Sequence, residues 1–171
     1  MKKHLYAFLF VSVALLGGCS KSEPEPEPAE QVIGIYDISQ IFESVKFADS
    51  PREQSDATIY PYKANDAAGV VYNVTAVFEI SKTSSNIVNL IFYEKYTDPS
   101  GKVIKGNPDP ISGIELKKTE GSAGQFDMLD TGEKIGSIGN GNVTLESIVN
   151  AKDSTGRAYT YTFRVTGKKA Q

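Results

Sequence analysis

The chain has 171 residues and a net charge of −3, with one histidine, one cysteine and no tryptophan. Both His4 and Cys19 lie before Ser20, so the rest of the chain excludes catalytic dyads and transition-metal sites that need either residue type. Acidic and basic residues are mixed, without the basic surplus that attracts nucleic acid. We therefore expect no metal, no cofactor and no nucleic-acid partner.

The first segment has the pattern of an export signal. Lys2 and Lys3 give it a positive start, and an uncharged apolar stretch runs from Leu5 to Leu16. As a helix this stretch would span about 18 Å, which is short of the roughly 30 Å hydrocarbon core of a bilayer. Residues 1–18 are therefore predicted to be a signal peptide rather than a permanent anchor.

The signal ends in Leu16, Gly17, Gly18 and Cys19, which resemble the lipobox of bacterial lipoproteins. In that family the lipobox cysteine receives a diacylglycerol on its sulfur, and the signal is cut before it. The resemblance implies that Cys19 is lipidated and anchors the protein to the bacterial outer membrane, on its periplasmic face or at the cell surface. The alternative is an ordinary secretory signal followed by a buried cysteine.

Residues 19–31 are predicted to tether the lipid to the domain. Ser20 to Gln31 is rich in alternating Glu and Pro, and proline lacks the amide hydrogen and fixes φ, so an extended polyproline II chain is favoured over a helix. At about 3.1 Å per residue, this tether would hold the domain roughly 35 Å from the membrane. Residues 32–171 then form one domain without cysteine, so no disulfide stabilises it.

Alternating apolar and polar residues predict β-strands through most of this domain. The clearest runs are Val70 to Ser81 and Ile87 to Tyr96, which are separated by the polar residues of a hairpin. Asn140-Gly141 predicts a two-residue type I′ hairpin, and Asp153 to Gly156 predicts the last turn. One face of the final strand carries Tyr159, Tyr161, Phe163 and Val165.

Consecutive hairpins predict an all-β antiparallel meander of about eight to ten strands. Closing the meander into a barrel is favoured because a closed barrel has no free edges, and an immunoglobulin-like sandwich is the alternative. The sequence leaves two alternatives for the secondary structure of Asp37 to Phe47. The apolar residues of this segment have helical spacing, which indicates a short helix, but a bent strand is equally compatible; these residues are Ile38, Ile41, Phe42 and Val45.

Gly34-Ile35-Tyr36 resembles the Gly-x-Trp opening of lipocalins and related calycin barrels, with Tyr in place of Trp. Those barrels often carry an arginine on the last strand, packed across the aromatic ring. The resemblance implies that the first and last strands pair to close the barrel, and that Arg164 lies against the Tyr36 ring there.

Aromatic residues on the inner rows of the strands are the candidate lining of a ligand cavity, because tyrosine combines an apolar body with a polar tip. Core packing and cross-strand pairs are the alternative explanation for these side chains. The candidates are Tyr72, Phe78, Tyr159, Tyr161 and Phe163.

Three classes of function remain open. The favoured class is a lipid-anchored, non-enzymatic domain that binds a small apolar, lipid-like ligand. The alternative is a structural or interaction subunit of an outer-membrane or surface complex. The third is a glycoside hydrolase that uses a carboxylate pair from Asp127, Asp130 and Glu133. A hollow barrel would favour the first class, and a filled core with an open strand edge would favour the second.

Overall fold

The computed structural model describes residues 25–171, so the predicted signal peptide 1–18 and Cys19 lie outside the described residues. Within 25–171, one short helix precedes eleven strands. No helix in this range is long and apolar enough to cross a membrane. The elements are α1 (Pro28–Val32), β1 (Gly34–Phe47), β2 (Glu53–Ile59), β3 (Tyr62–Asn65), β4 (Val71–Lys82), β5 (Ile87–Thr97), β6 (Val103–Lys105), β7 (Asp109–Lys118), β8 (Gln125–Asp130), β9 (Glu133–Gly139), β10 (Asn142–Lys152) and β11 (Ala158–Lys169).

Eight of the strands form a closed antiparallel barrel, in the order β1-β4-β5-β7-β8-β9-β10-β11 and back to β1. The first and last strands close it, pairing from Tyr36 opposite Lys169 to Phe47 opposite Tyr159. The predicted all-β fold and its closure into a barrel are therefore confirmed, and the sandwich alternative is wrong. The remaining strands, β2, β3 and β6, add to the barrel edges at one end.

Strand β1 changes partner along its length. One edge pairs with β11 throughout, while the other edge pairs with β4 over Gly34–Ile38 and with β2 over Gln40–Lys46. The register shifts between Ile38 and Gln40, which leaves Ser39 as an extra residue that bends the strand. We call the end of the barrel before this bend the lower end, and the end after it the upper end.

The bulge at Ser39 explains the spacing of three between Ile38 and Ile41, which contributed to the helical pattern although both residues belong to a strand. Before the bulge, Tyr36 and Ile38 face the barrel interior; after it, the inward row continues with Ile41. The extra residue turns a spacing of two into a spacing of three, which matches a helical period. Of the two alternatives, Asp37–Phe47 thus forms the bent strand and not the short helix.

Helix α1 closes the lower end of the barrel. Ala29 and Val32 are fully buried, and the Ala29 amide donates to the Ser85 carbonyl at 3.0 Å in the turn between β4 and β5. The extended chain expected up to Gln31 is therefore corrected: Pro28–Val32 is helical. Proline is tolerated in the first helical turn, and burial of two apolar side chains stabilises so short a helix.

Side chains fill the lower half of the barrel, which is consequently a packed core rather than a hollow tube. All of the residues named next come from inward-facing rows and are at most 1% exposed. Representative core residues are Leu90, Ile114, Met128, Ile138 and Val143.

The upper end opens into two sheets. The front sheet consists of β2, the upper parts of β1 and β11, and residues 146–152 of β10. The back sheet consists of β3, the upper parts of β4 and β5, and β6.

Strand β9 pairs with β10 only as far as Gly136 opposite Leu145, where a Cβ on Gly136 would lie 2.1 Å from the Thr144 carbonyl oxygen. Above that contact β9 and β10 are no longer paired, so the barrel wall is open between them.

Candidate functional site

A cleft of about 360 Å³ lies at the mouth of the barrel, between the front sheet and strands β4, β5 and β7. We call it the mouth cleft. Its floor includes Phe78 and Phe92, whose rings meet edge to face with centroids 5.7 Å apart. Glu43, Thr58 and Asp109 give it a polar rim. The apolar lining includes Ile41, Phe78, Phe92, Ile111, Leu145 and Phe163.

A second cleft of about 540 Å³ lies higher on the front sheet, and we call it the front cleft. Val45, Tyr161 and Val149 lie opposite one another across β1, β11 and β10 and form part of its lining. Phe47 and Tyr159 follow in the next inward row, with ring centroids 5.8 Å apart. Because side chains alternate along a strand, these rows are on the face that also lines the mouth cleft.

The structure distributes the five aromatic lining candidates over three places. Phe78 and Phe163 line the mouth cleft. Tyr159 and Tyr161 line the front cleft. Tyr72 lies in the back sheet, where its ring meets Tyr96 edge to face with centroids 6.5 Å apart.

Tyr161 and Glu43 form a polar junction between the two clefts. The Tyr161 hydroxyl donates a hydrogen bond to Glu43 Oε1, and this bond raises the pKa of Tyr161 above its usual value. The hydroxyl and the carboxylate therefore offer one polar position beside otherwise apolar walls.

Glu94 is an inward-facing acid that the sequence analysis did not identify. The Tyr60 hydroxyl donates to its Oε1 at 2.6 Å, Tyr62 donates to the same atom at 3.4 Å, and Tyr96 donates to Oε2. Burial, followed by the hydrogen bond to Glu94, raises the pKa of Tyr60, whereas the bond to Glu94 is the main cause that raises the pKa of Tyr96 to about 12. Because Tyr60 and Tyr62 flank the link from β2 to β3, Glu94 fastens that link to β5.

The sequence does contain a pattern that could have identified Glu94 as an inward-facing acid. It occupies an inward position in β5, opposite Ala76 of β4, where the neighbouring inward residues Phe92 and Tyr96 are aromatic. A carboxylate in an apolar row needs hydrogen-bond donors, and the nearby tyrosines supply them.

The predicted contact between Arg164 and Tyr36 is wrong. Tyr36 lies opposite Lys169, whose ammonium is 5.9 Å from the ring centroid, while Arg164 lies opposite Phe42. Arg164 is on the outward row and forms an ion pair with Glu146. Lys169 lies five positions after Arg164, which corresponds to about 16 Å of strand, so Lys169 takes the position expected for the arginine.

Gly34 and Tyr36 do lie at the closure of the barrel. Gly34 has φ +136°, and a Cβ there would approach Lys169 Cε to 2.9 Å, so the position favours glycine. The Tyr36 hydroxyl donates to the Val32 carbonyl at 2.8 Å, and its burial raises the pKa of Tyr36 to about 12. Tyr36 thereby connects the first strand to α1.

The three candidate catalytic carboxylates lie on β8 and β9, and none of them lines the mouth cleft. Lys134 Nζ is 2.7 Å from Asp127 Oδ1, and this contact holds the pKa of Asp127 below its usual value. Asp130 and Glu133 face each other at the end of the β8–β9 ladder. Over residues 25–171, the acidic side chains form no group of three or more that could hold a metal ion.

No family model and no curated protein matches the chain. One solved structure, described as a de novo designed fluorescence-activating β-barrel, is 15% identical to it. The match covers 84% of this chain and 98% of that chain, with a TM-score of 0.26. The barrel is established by its own strand pairing.

We expect stability to be lost between about pH 10 and pH 12. Unfolded tyrosines ionise near pH 10, whereas buried Tyr36 stays neutral to about pH 12, so the unfolded state loses protons first. The stability that Tyr36 contributes is fully present below pH 10 and is lost as the pH rises through 12. Between pH 10 and pH 12, Tyr36→Phe should lose less unfolding free energy per pH unit than the parent chain, by up to about 1.4 kcal/mol. Urea unfolding at pH 8 to 11.5 measures this, and an unchanged slope contradicts it.

Proposed function

We propose that this protein binds a small, elongated apolar ligand in the mouth cleft, without catalysing a reaction. The barrel core is filled, so the proposal does not rest on a hollow interior. The observation that carries it is a cleft of about 360 Å³ with apolar and aromatic walls at the mouth of the barrel, above that core. Small-molecule sites are typically concave, mostly apolar and roughly 300–1,000 Å³ in volume.

The arrangement of the two clefts supports an elongated ligand. Phe163 in the mouth cleft and Tyr161 in the front cleft are successive inward residues of β11. An alkyl chain can therefore lie along the inward row of one cleft, with its polar end at the Tyr161–Glu43 junction between the two clefts. The packed core below Phe78 and Phe92 limits how deep it can enter.

The polar groups near the clefts are suited to orienting a ligand. Glu43 accepts from Tyr161, which places a carboxylate and a hydroxyl where a polar head group of the ligand would lie. Asp127, one of the three hydrolase candidates, forms an ion pair with Lys134 and does not line this cleft. Binding is thus better supported than glycoside hydrolysis.

We also propose that lipid on Cys19 anchors the protein with its mouth directed away from the membrane. Glu25 pairs with Lys118 at 2.9 Å, and Glu27 and Glu30 both pair with Lys82, so these acids hold the start of the domain at the lower end of the barrel. From Cys19 to Glu25 the chain reaches at most about 20 Å. The lower end then lies close to the bilayer, nearer than the 35 Å expected from a free tether.

Replacing Ile111 tests the ligand site. Ile111→Ala removes apolar contact from the mouth cleft, so we expect about tenfold weaker binding of an uncharged fluorescent long-chain alcohol, whose hydroxyl can donate to Glu43. Ile104→Ala is the matched control, because Ile104 is exposed on β6 and does not line the cleft. Fluorescence titration of the chain from Ser20 onward makes the comparison. No binding by the parent chain, or equal affinities for all three proteins, contradicts the proposal.

Replacing Cys19 tests the anchor separately. We expect Cys19→Ser to abolish stable membrane association, because a cleaved signal leaves no anchor and stable attachment needs acyl chains. Membrane fractionation and the mass of the mature N-terminus measure this. An unmodified Cys19 in the mature wild-type protein refutes the anchor and leaves the ligand site untouched.

A further inference from the structure

The upper half of β10 has an open edge. Strand β10 pairs with β11 over its whole length but with β9 only over Asn142–Leu145. No strand within residues 25–171 pairs with the other edge of Glu146–Lys152. An unpaired edge of this length presents backbone donors and acceptors to any chain that can add a strand.

The same segment exposes apolar side chains on both faces. Ile148 is 61% exposed and lies on the outward row, and Val149 is 46% exposed on the inward row. Natural edge strands are usually protected by charge, proline or a covering element. Exposed Ile148 and Val149 beside open backbone groups indicate that something covers this edge.

The sequence of the edge is complementary to itself. In an antiparallel pair with a twofold axis at Val149, Glu146 lies opposite Lys152 of the second copy, and this contact occurs twice. Val149 then faces its own counterpart, and Ile148 faces Asn150 of the second copy. Opposite charges meet at both ends of the ladder, and an apolar pair lies at its centre.

The surroundings of Glu146 fit this pairing. Arg164 contacts Glu146 through Oε1, which leaves Oε2 to accept from an approaching lysine. Val149 also continues the inward row formed by Val45 and Tyr161. Pairing two copies would extend this row across both front sheets and cover the exposed part of each Val149.

We propose that two copies of this chain form a twofold dimer by antiparallel pairing of β10 over Glu146–Lys152. The dimer joins the front sheets of both copies into one continuous sheet. It does not depend on a ligand in the mouth cleft, because none of Glu146–Lys152 lines that cleft; Val149 alone is shared with the front cleft.

Disulfide trapping tests the pairing and its register in the full chain. Val149→Cys places two thiols directly opposite each other, so mild oxidation of isolated membranes should give a covalent dimer. Ile148→Cys is the matched control on the same edge, because its two copies would be separated by about 8 Å, too far for a disulfide. The parent chain controls for Cys19. Equal trapping of both variants, or of neither, overturns the proposal.

A charge substitution tests the same interface through the equilibrium between monomer and dimer. Val149→Lys brings two ammonium groups together at the centre of the ladder, so the dimer dissociation constant should rise at least tenfold. Val103→Lys is the control, since Val103 is 54% exposed on β6. Sedimentation of the full chain in detergent measures the constants. A monomeric parent chain, or one whose dimer persists in Val149→Lys, contradicts the proposal and leaves the edge to another partner.

Discussion

The change of partner along β1 is the constraint on which the rest of the structure depends. Below Ser39 the strand pairs with β4 and β11, which closes the barrel; above it, β2 replaces β4. Strand β11 follows β1 past the bend, and β10 follows β11, so both leave the barrel with it. The bend therefore creates a packed lower end, a mouth between two sheets and an open edge on β10.

Much of the fold could be predicted from the sequence because it depends on local chemistry. Asn140 and Gly141 have φ 50° and 74°, as the predicted type I′ turn requires, and they join Gly139 to Asn142. Strand alternation identified Phe78 and Phe163 as inward residues, and both line the mouth cleft. What escaped prediction was nonlocal. A one-turn helix at Pro28–Val32 is stabilised by burial against the barrel end, which no local pattern reveals.

The failed contact between Arg164 and Tyr36 has a related cause. Choosing which residue of β11 meets Tyr36 requires the register across the closure, and the register depends on a bulge that the sequence does not mark. The same bulge produced the helical spacing of Ile38 and Ile41. Glu94 was missed for another reason: its partners Tyr60 and Tyr62 lie more than thirty positions away in the chain and meet it only through the β2–β3 link.

Amide hydrogen exchange along β1 tests the division into two ends most directly. Residues 36–38 and 40–46 of β1 are paired on both edges, so differences between their amides report packing rather than missing hydrogen bonds. We predict that Asp37 and Ile38, in the packed lower end, exchange only by global unfolding. Val45 and Lys46, in the front sheet, should exchange at least about 100-fold faster through local opening. Equal protection on both sides of Ser39 would show one cooperative unit and contradict this account.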